Sequence, residues 1–291
     1  LEHKTVYYDI NGVMQYGEKR INEKWYYFDK VSGAMQTGFC NLGNKVTKLV
    51  IPGSIKEVLD IASDNLSLRE VVIQEGVERL GEDNYADEHR SFGGCKNLNK
   101  VQIPKSMKII DTRCFFNCES LKSISLPEGL TRIGEGASQC SGLKEVTIPS
   151  TVTELGGRAF SETDLEEVTV KCGEDGWSYF GGWETFAYCK KLESVKLNDN
   201  TDNIANGMFK GCTALKAITL PKNLKEICFE AFQKCTALTQ ITIPTSVTSM
   251  SSEVFDGCVS LTKANILGSI TRIEQYAFNG CKQLKAIFIP V

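Results

Sequence analysis

Ala231-Phe232-Gln233-Lys234-Cys235-Thr236-Ala237-Leu238-Thr239-Gln240-Ile241-Thr242-Ile243-Pro244 is the stretch whose reading decides the fold. From Leu238 onward it alternates apolar and polar residues, as a short half-buried strand does. Pro244 withholds a donor where the chain must turn away. The part before Leu238 holds a small residue, Phe, Cys three later and Leu three after that. It reads as one short helical turn that brings the chain back.

The pattern recurs. Clear copies are Leu98-Val101-Ile103-Pro104, Leu121-Ile124-Leu126-Pro127, Leu143-Val146-Ile148-Pro149, Leu215-Ile218-Leu220-Pro221 and Leu284-Ile287-Ile289-Pro290. Weaker copies begin at Val46, Leu68, Leu165, Leu192 and Leu261. The eleven leading positions are 22, 30, 23, 22, 22, 27, 23, 23, 23 and 23 residues apart. After the proline each unit adds a further apolar pair, such as Val152 and Leu155 or Val247 and Met250. One unit cannot bury its apolar side alone, whereas stacked units bury a continuous core. The expected fold is therefore a solenoid whose equivalent residues form ladders.

Bulk composition agrees. The 291 residues are 42% hydrophobic and 24% charged, with a formal net charge of −3. Lysine and arginine are spread thinly over the repeats, so no basic footprint for nucleic acid exists. No apolar run reaches the length of a membrane span. The chain opens on Leu1 and shows no signal peptide. It reads as a mature form or an expressed fragment, with Leu1-Glu2-His3 left by expression.

These residues resemble the BspA-like leucine-rich repeats of bacterial surface proteins, whose unit runs roughly C-x-x-L-x-x-I-x-I-P-x-x-V-x-x-I-x-x-x-A-F. The resemblance covers residues 40–291. It implies an α/β solenoid, a right-handed horseshoe with a parallel sheet on its concave side, in an exported, extracellular adhesion-type protein. Local departures predict looser packing. The first two units lack Phe-x-x-Cys before their strands, the fifth has Gly136-Ala137 in place of Ala-Phe, and no Cys precedes Leu165.

Residues 1–39 carry a different repeat, in which Tyr7-Tyr8-Asp9 with Asn11-Gly12 is matched by Tyr27-Phe28-Asp29 with Ser32-Gly33. An aromatic strand, a tight turn and a second short strand make a β-hairpin. The stretch is similar to the choline-binding and glucan-binding cell-wall repeats of Gram-positive bacteria. That resemblance implies an aromatic cage for a quaternary ammonium, at Trp25, Tyr27 and Phe39 here. Thr5 and Glu18 replace aromatics in the first copy. The plainer reading is the end of a wall-anchoring array or a cap for the solenoid.

Eight of the twelve cysteines stand three residues before a leading leucine: Cys95, Cys118, Cys140, Cys189, Cys212, Cys235, Cys258 and Cys281. They read as a column of small buried thiols. Cys114 takes the small-residue position of its turn, while Cys40, Cys172 and Cys228 are unassigned. The two histidines, His3 and His89, cannot supply a catalytic triad or a zinc site. Glu166 and Glu167 on a strand should point to opposite sides, against a paired acid–base role. Asp199 and Asp202 read as solvated loop acids. No cofactor is expected, and the chain is read as a non-enzyme.

Two insertions break the period, at 74–94 and 171–184. The second carries Trp177, Tyr179, Phe180 and Trp183 among glycines. Such loops are either recognition elements or covers for an edge of the stack. On each strand the second and fourth residues after the leading leucine point outward. They include Ser123 and Ser125, Glu145 and Thr147, Glu167 and Thr169, and Ser194 and Lys196. This face is expected to contribute shape, with Trp177, Tyr179 and Trp183 anchoring a protein or glycan on a host or microbial surface. Wall choline or glucan is the partner implied for residues 1–39. The alternatives are the targeting half of a larger wall-associated enzyme and a structural spacer.

Overall fold

The computed structural model describes the strands Val6–Tyr8, Met14–Tyr16, Lys19–Ile21 and Lys24–Tyr26, and residues 46–59, 61–81, 91–172 and 182–289. From Val46 onward each repeat is one coil, and equivalent residues of successive coils lie side by side. The alternating segments pair in parallel. Glu145–Ile148, Glu167–Val170 and Ser194–Lys196 form one sheet. Lys48–Ile51, Glu70–Ile73 and Lys100–Gln102 form another, and Gln240–Ile243, Lys263–Ile266 and Ala286–Phe288 a third. Register follows the repeat, so Val146 faces Val168 and Val168 faces Val195. Inward side chains such as Leu238, Ile241 and Ile243 are buried.

The apolar pair after the proline makes a second parallel row of two-residue strands. Glu57–Val58, Arg79–Leu80, Ile109–Ile110, Arg132–Ile133 and Glu154–Leu155 share one sheet. Asn203–Ile204, Glu226–Ile227 and Ser249–Met250 share another. Just past these strands the coils approach so closely that some positions have no room for a side chain. A Cβ on Gly134 would lie 2.5 Å from the backbone nitrogen of Thr112. The adjoining Asp111 is buried and takes a 2.5 Å ion pair from Arg79, with Arg132 at 3.6 Å.

The Ala-Phe-x-x-Cys segment is not the short helix expected; no helix occurs among the described residues. Glu230 and Lys234 have φ of 56° and 59°, left-handed values that interrupt any helix. Bonding alternates instead. The N–H groups of Ala231, Gln233 and Cys235 donate three residues back, to Cys228, Glu230 and Phe232. Those of Glu230, Phe232 and Lys234 donate to carbonyls of the next coil, at Ser252, Val254 and Asp256. The turn thus keeps bonding coil to coil, which a helix, satisfying its own donors, would not do. The helical part of the α/β expectation is replaced by overlapping turns.

The ladders are side-chain columns as well. Phe160, Phe186, Phe209, Phe232, Phe255 and Phe278 stack in succession with ring centroids 5.4 to 5.8 Å apart. Phe92 stacks on Phe115 at 5.7 Å, and Ser138 stands between the two runs. Cysteines of the column donate their thiols to the carbonyl of the phenylalanine one coil back. Cys118 reaches Phe92, Cys212 reaches Phe186 and Cys258 reaches Phe232, each at 3.2 Å.

Cys140 corrects the sequence reading of that column. Its φ of 57° and its N–H bond to Ser161 put it at the left-handed position equivalent to Lys234. Ser141 takes the thiol position, with its N–H on Ser138 as Cys235 has on Phe232. The cause is a shortened turn: one residue separates Ser141 from Leu143, where two separate Cys235 from Leu238. The same shortening occurs at Thr163, Asp164 and Leu165. There packing is not loose, because the Thr163 hydroxyl donates to Phe160 at 2.8 Å and lies 3.1 Å from the Cys189 sulfur. Asn65, in the thiol position of the second unit, accepts from the N–H groups of Ser67 and Leu68. Ser141 is the looser case, buried with a hydroxyl that has no hydrogen-bond partner among the described residues.

At the amino-terminal end Val6–Tyr8 pairs antiparallel with Met14–Tyr16, the first expected hairpin. Lys24–Tyr26 pairs antiparallel with the preceding Lys19–Ile21, a pairing absent from the sequence reading. The second expected hairpin, across Ser32-Gly33, lies outside the described residues.

Candidate functional site

The outward row of long strands is where the structure gathers the residues singled out in sequence. Glu145 faces Glu167 and Thr147 faces Thr169 in the parallel register. Side chains on this face alternate with buried Val146, Ile148, Val168 and Val170. The ladder of long strands is interrupted twice, between the third coil and the fifth and between the seventh and the ninth. Residues 121–126 keep the repeat spacing without forming a strand. A cleft of about 430 Å³ opens there, lined by Ser123, Ser125, Glu145, Thr147, Glu167 and Thr169 together with the edges of Ile124, Leu126 and Val146.

Of its two carboxylates, Glu167 is ion-paired, and a further pair lies beside it. Lys196 meets Glu167 at 2.6 Å, and Lys144 meets Glu166 at 3.2 Å. Glu166 is exposed and Glu167 half-buried, so neither side chain points into the core, against the expectation of one in and one out. They pair in opposite directions along the stack, each as a rung of an ion ladder. Asp199 and Asp202 are also engaged, with Lys222 at 2.9 Å and Lys225 at 4.0 Å. Farther up the same face Lys48 and Lys100 both bind Glu70 at 3.0 Å, which holds that carboxyl below its usual range.

Trp183 is placed in the turn row, not in the cleft lining. Its carbonyl accepts from Arg158, as that of Glu135 does from Arg113. The ring lies on Gly157, where a Cβ would come within 2.6 Å of Nε1, and the Arg158 guanidinium sits 4.2 Å from the ring centroid. It remains 45% exposed. Trp177 and Tyr179 lie outside the described residues, as do Tyr27 and Phe39, and of Trp25 only the strand backbone is described.

Burial works against a nucleophilic role for the column thiols. Burial pushes Cys235 and Cys114 up to about 12 and Cys189 up to about 11, so they stay protonated at neutral pH. Cys172 is buried and Cys228 half-buried; Cys40 lies outside the described residues. Among the described residues no group of His, Cys, Asp and Glu could hold a metal ion, and no helix is long and apolar enough to cross a membrane. The residues that sequence reasoning missed are Asp164, Tyr188, Lys190 and Lys191. They line a second recess beside the shortened turns, and the missing residue in the period was the signal for it.

Comparison with known proteins fits this architecture. The family model described as the BspA type leucine rich repeat region matches residues 88–175 and 182–291 in six copies. A choline-binding repeat model matches residues 1–38, stopping short of Phe39. A leucine-rich repeat protein from Bacteroides ovatus is 26% identical, with a TM-score of 0.60 over 99% of this chain and 70% of that one. A leucine-rich repeat protein from Eubacterium ventriosum is 18% identical, with a TM-score of 0.57 over 89% of this chain and 72% of that one. Among curated proteins none matches the chain.

Proposed function

The chain belongs to the BspA-type leucine-rich-repeat family, and on that premise we propose that it is a non-catalytic recognition protein of a bacterial surface. It holds an extended protein or glycan along the long-strand face. The observation that carries this reading is the cleft at the interrupted ladder, lined by Glu145, Thr147, Glu167 and Thr169. Small hydroxyls beside carboxylates offer donors and acceptors on a rigid sheet, which suits orientation of a partner and no bond-breaking step. Residues 1–39 hold the chain to wall choline or glucan, a reading supported by the repeat match at residues 1–38.

The test uses the full chain on biosensor tips carrying matrix glycoproteins, mucin and purified Gram-positive wall. Saturable capture is expected on at least one. Thr147→Arg together with Thr169→Arg, which fills the cleft, should weaken that capture by about tenfold with thermal melting unchanged. No saturable capture on any surface, or capture indifferent to the filled cleft, rejects the reading. Retention on choline-agarose, with elution by free choline, tests the wall-binding part.

A further inference from the structure

Two successive coils lack one residue between the thiol position and the leading leucine, at Ser141-Gly142-Leu143 and Thr163-Asp164-Leu165. The edge of the solenoid is drawn in at those coils. Gly142 donates to Cys118 of the coil before it, and a Cβ on it would lie 2.5 Å from the Lys122 ammonium. The next coil keeps the full length, so Lys190 and Lys191 stand at the rim of the step. A recess of about 460 Å³ lies there, lined by Glu162, Thr163, Asp164, Tyr188, Lys190 and Lys191. It shares Lys190 and Lys191 with a groove of about 780 Å³ that reaches Glu145 and Glu167 on the strand face.

Tyr188 marks the recess. It is an exposed aromatic held at φ 59°, a conformation filled by glycine at Gly211, Gly257 and Gly280 in later coils. Gly211 leaves room for it, since a Cβ there would lie 2.6 Å from Tyr188 Cδ1.

We propose that this notch binds a neutral saccharide, whose chain continues along the groove toward Glu145 and Glu167. The proposal rests on the recognition reading and names its ligand class. A vicinal diol both donates and accepts. Asp164 and Lys191, 2.8 Å apart, supply an acceptor and a donor at matching separation. The Tyr188 ring supplies an apolar face for the C–H side of a pyranose. A polyanion fits less well, because two of the lysines are already engaged by carboxylates, Lys144 by Glu166 and Lys191 by Asp164. A protein hot spot would call for several aromatic or arginine anchors, and this recess has one aromatic residue.

Calorimetric titration of the full chain with chitohexaose, cellohexaose, maltohexaose and heparin hexasaccharide tests the proposal. At least one neutral hexasaccharide should bind, and Tyr188→Ala and Asp164→Asn should each weaken it by about tenfold. Tyr188→Phe, which keeps the ring, should stay near wild type, and melting curves should show all variants folded. The proposal is overturned if no neutral hexasaccharide binds below about 5 mM, if the variants bind as well as wild type, or if only the heparin fragment binds. Glycoprotein capture that survives periodate oxidation of the glycans would also remove the notch proposal while leaving the recognition reading intact. Hexasaccharide binding without capture of any surface would do the reverse.

Discussion

Ser141 stands where cysteine stands at positions 118, 189, 212, 235, 258 and 281, and Ser141→Cys should stabilise the protein. The native hydroxyl is buried without a hydrogen-bond partner among the described residues. An unsatisfied buried polar group costs about 1–3 kcal/mol. A thiol at this position is set to reach the carbonyl of Phe115, one coil back, as Cys118 reaches Phe92 at 3.2 Å. It also behaves as a small hydrophobe. The expected gain is about 1–2 kcal/mol. With a urea slope of about 3 kcal/mol/M, that is a rise of about 0.3–0.7 M in the unfolding midpoint. Because solenoid units couple chiefly to their neighbours, amide exchange should slow most in the fourth to sixth coils. The introduced thiol should resist labelling in the folded protein. A midpoint that is unchanged or lower, with that thiol unlabelled and so buried as intended, would refute the assignment of Ser141 to the thiol column. The reverse change, Cys235→Ser, should cost about 1–3 kcal/mol for the same reason.

The remaining expectations concern charge, space and ion pairing. Burial raises the column thiols, Cys235 from 9.0 up to about 12, so the folded state keeps protons that the unfolded chain releases. This contribution is complete below pH 9 and is lost as pH rises toward 12, so the urea midpoint should fall across pH 9 to 11; a flat profile would count against buried thiols. Native-state maleimide labelling should reach half-buried Cys140, Cys228 and Cys281 first, and equal rates at Cys212 would contradict the burial order. Gly134→Ala drives a methyl against the Thr112 and Asp111 backbone and should cost at least about 2 kcal/mol by thermal melting; a neutral result would mean that the second strand row is not packed as described. Asp111→Ala leaves Arg79 and Arg132 without their buried partner. With both arginines partly solvated, the cost should be about 1–3 kcal/mol, and a stabilised variant would be evidence against the ion cluster.

Most of the coil was legible in the sequence because a repeat writes each contact many times. Leu238, Ile241, Ile243 and Phe232 are buried where the period-2 alternation and the Ala-Phe signal place them. The outward row of Glu145, Thr147, Glu167 and Thr169 follows from the same alternation. The candidate cleft was legible only in its residues. That strand pairing lapses at residues 121–126, and again at 215–220, where the repeat spacing is kept, is seen only in the tertiary structure.

What the sequence by itself determined is the period, the inward and outward faces and the columns of Phe and Cys. All of these are local spacing rules that stacking repeats. What only the tertiary structure decided is whether a turn helps itself or its neighbour. Alternating left-handed residues send half of the turn's N–H groups to the next coil, and a sequence pattern compatible with a short helix does not show that choice. The same holds for Cys140. Spacing from Leu143 puts it in the thiol column, but deletion of one residue shifts the column onto Ser141, because side-chain position follows backbone bonding between coils and not distance along the chain.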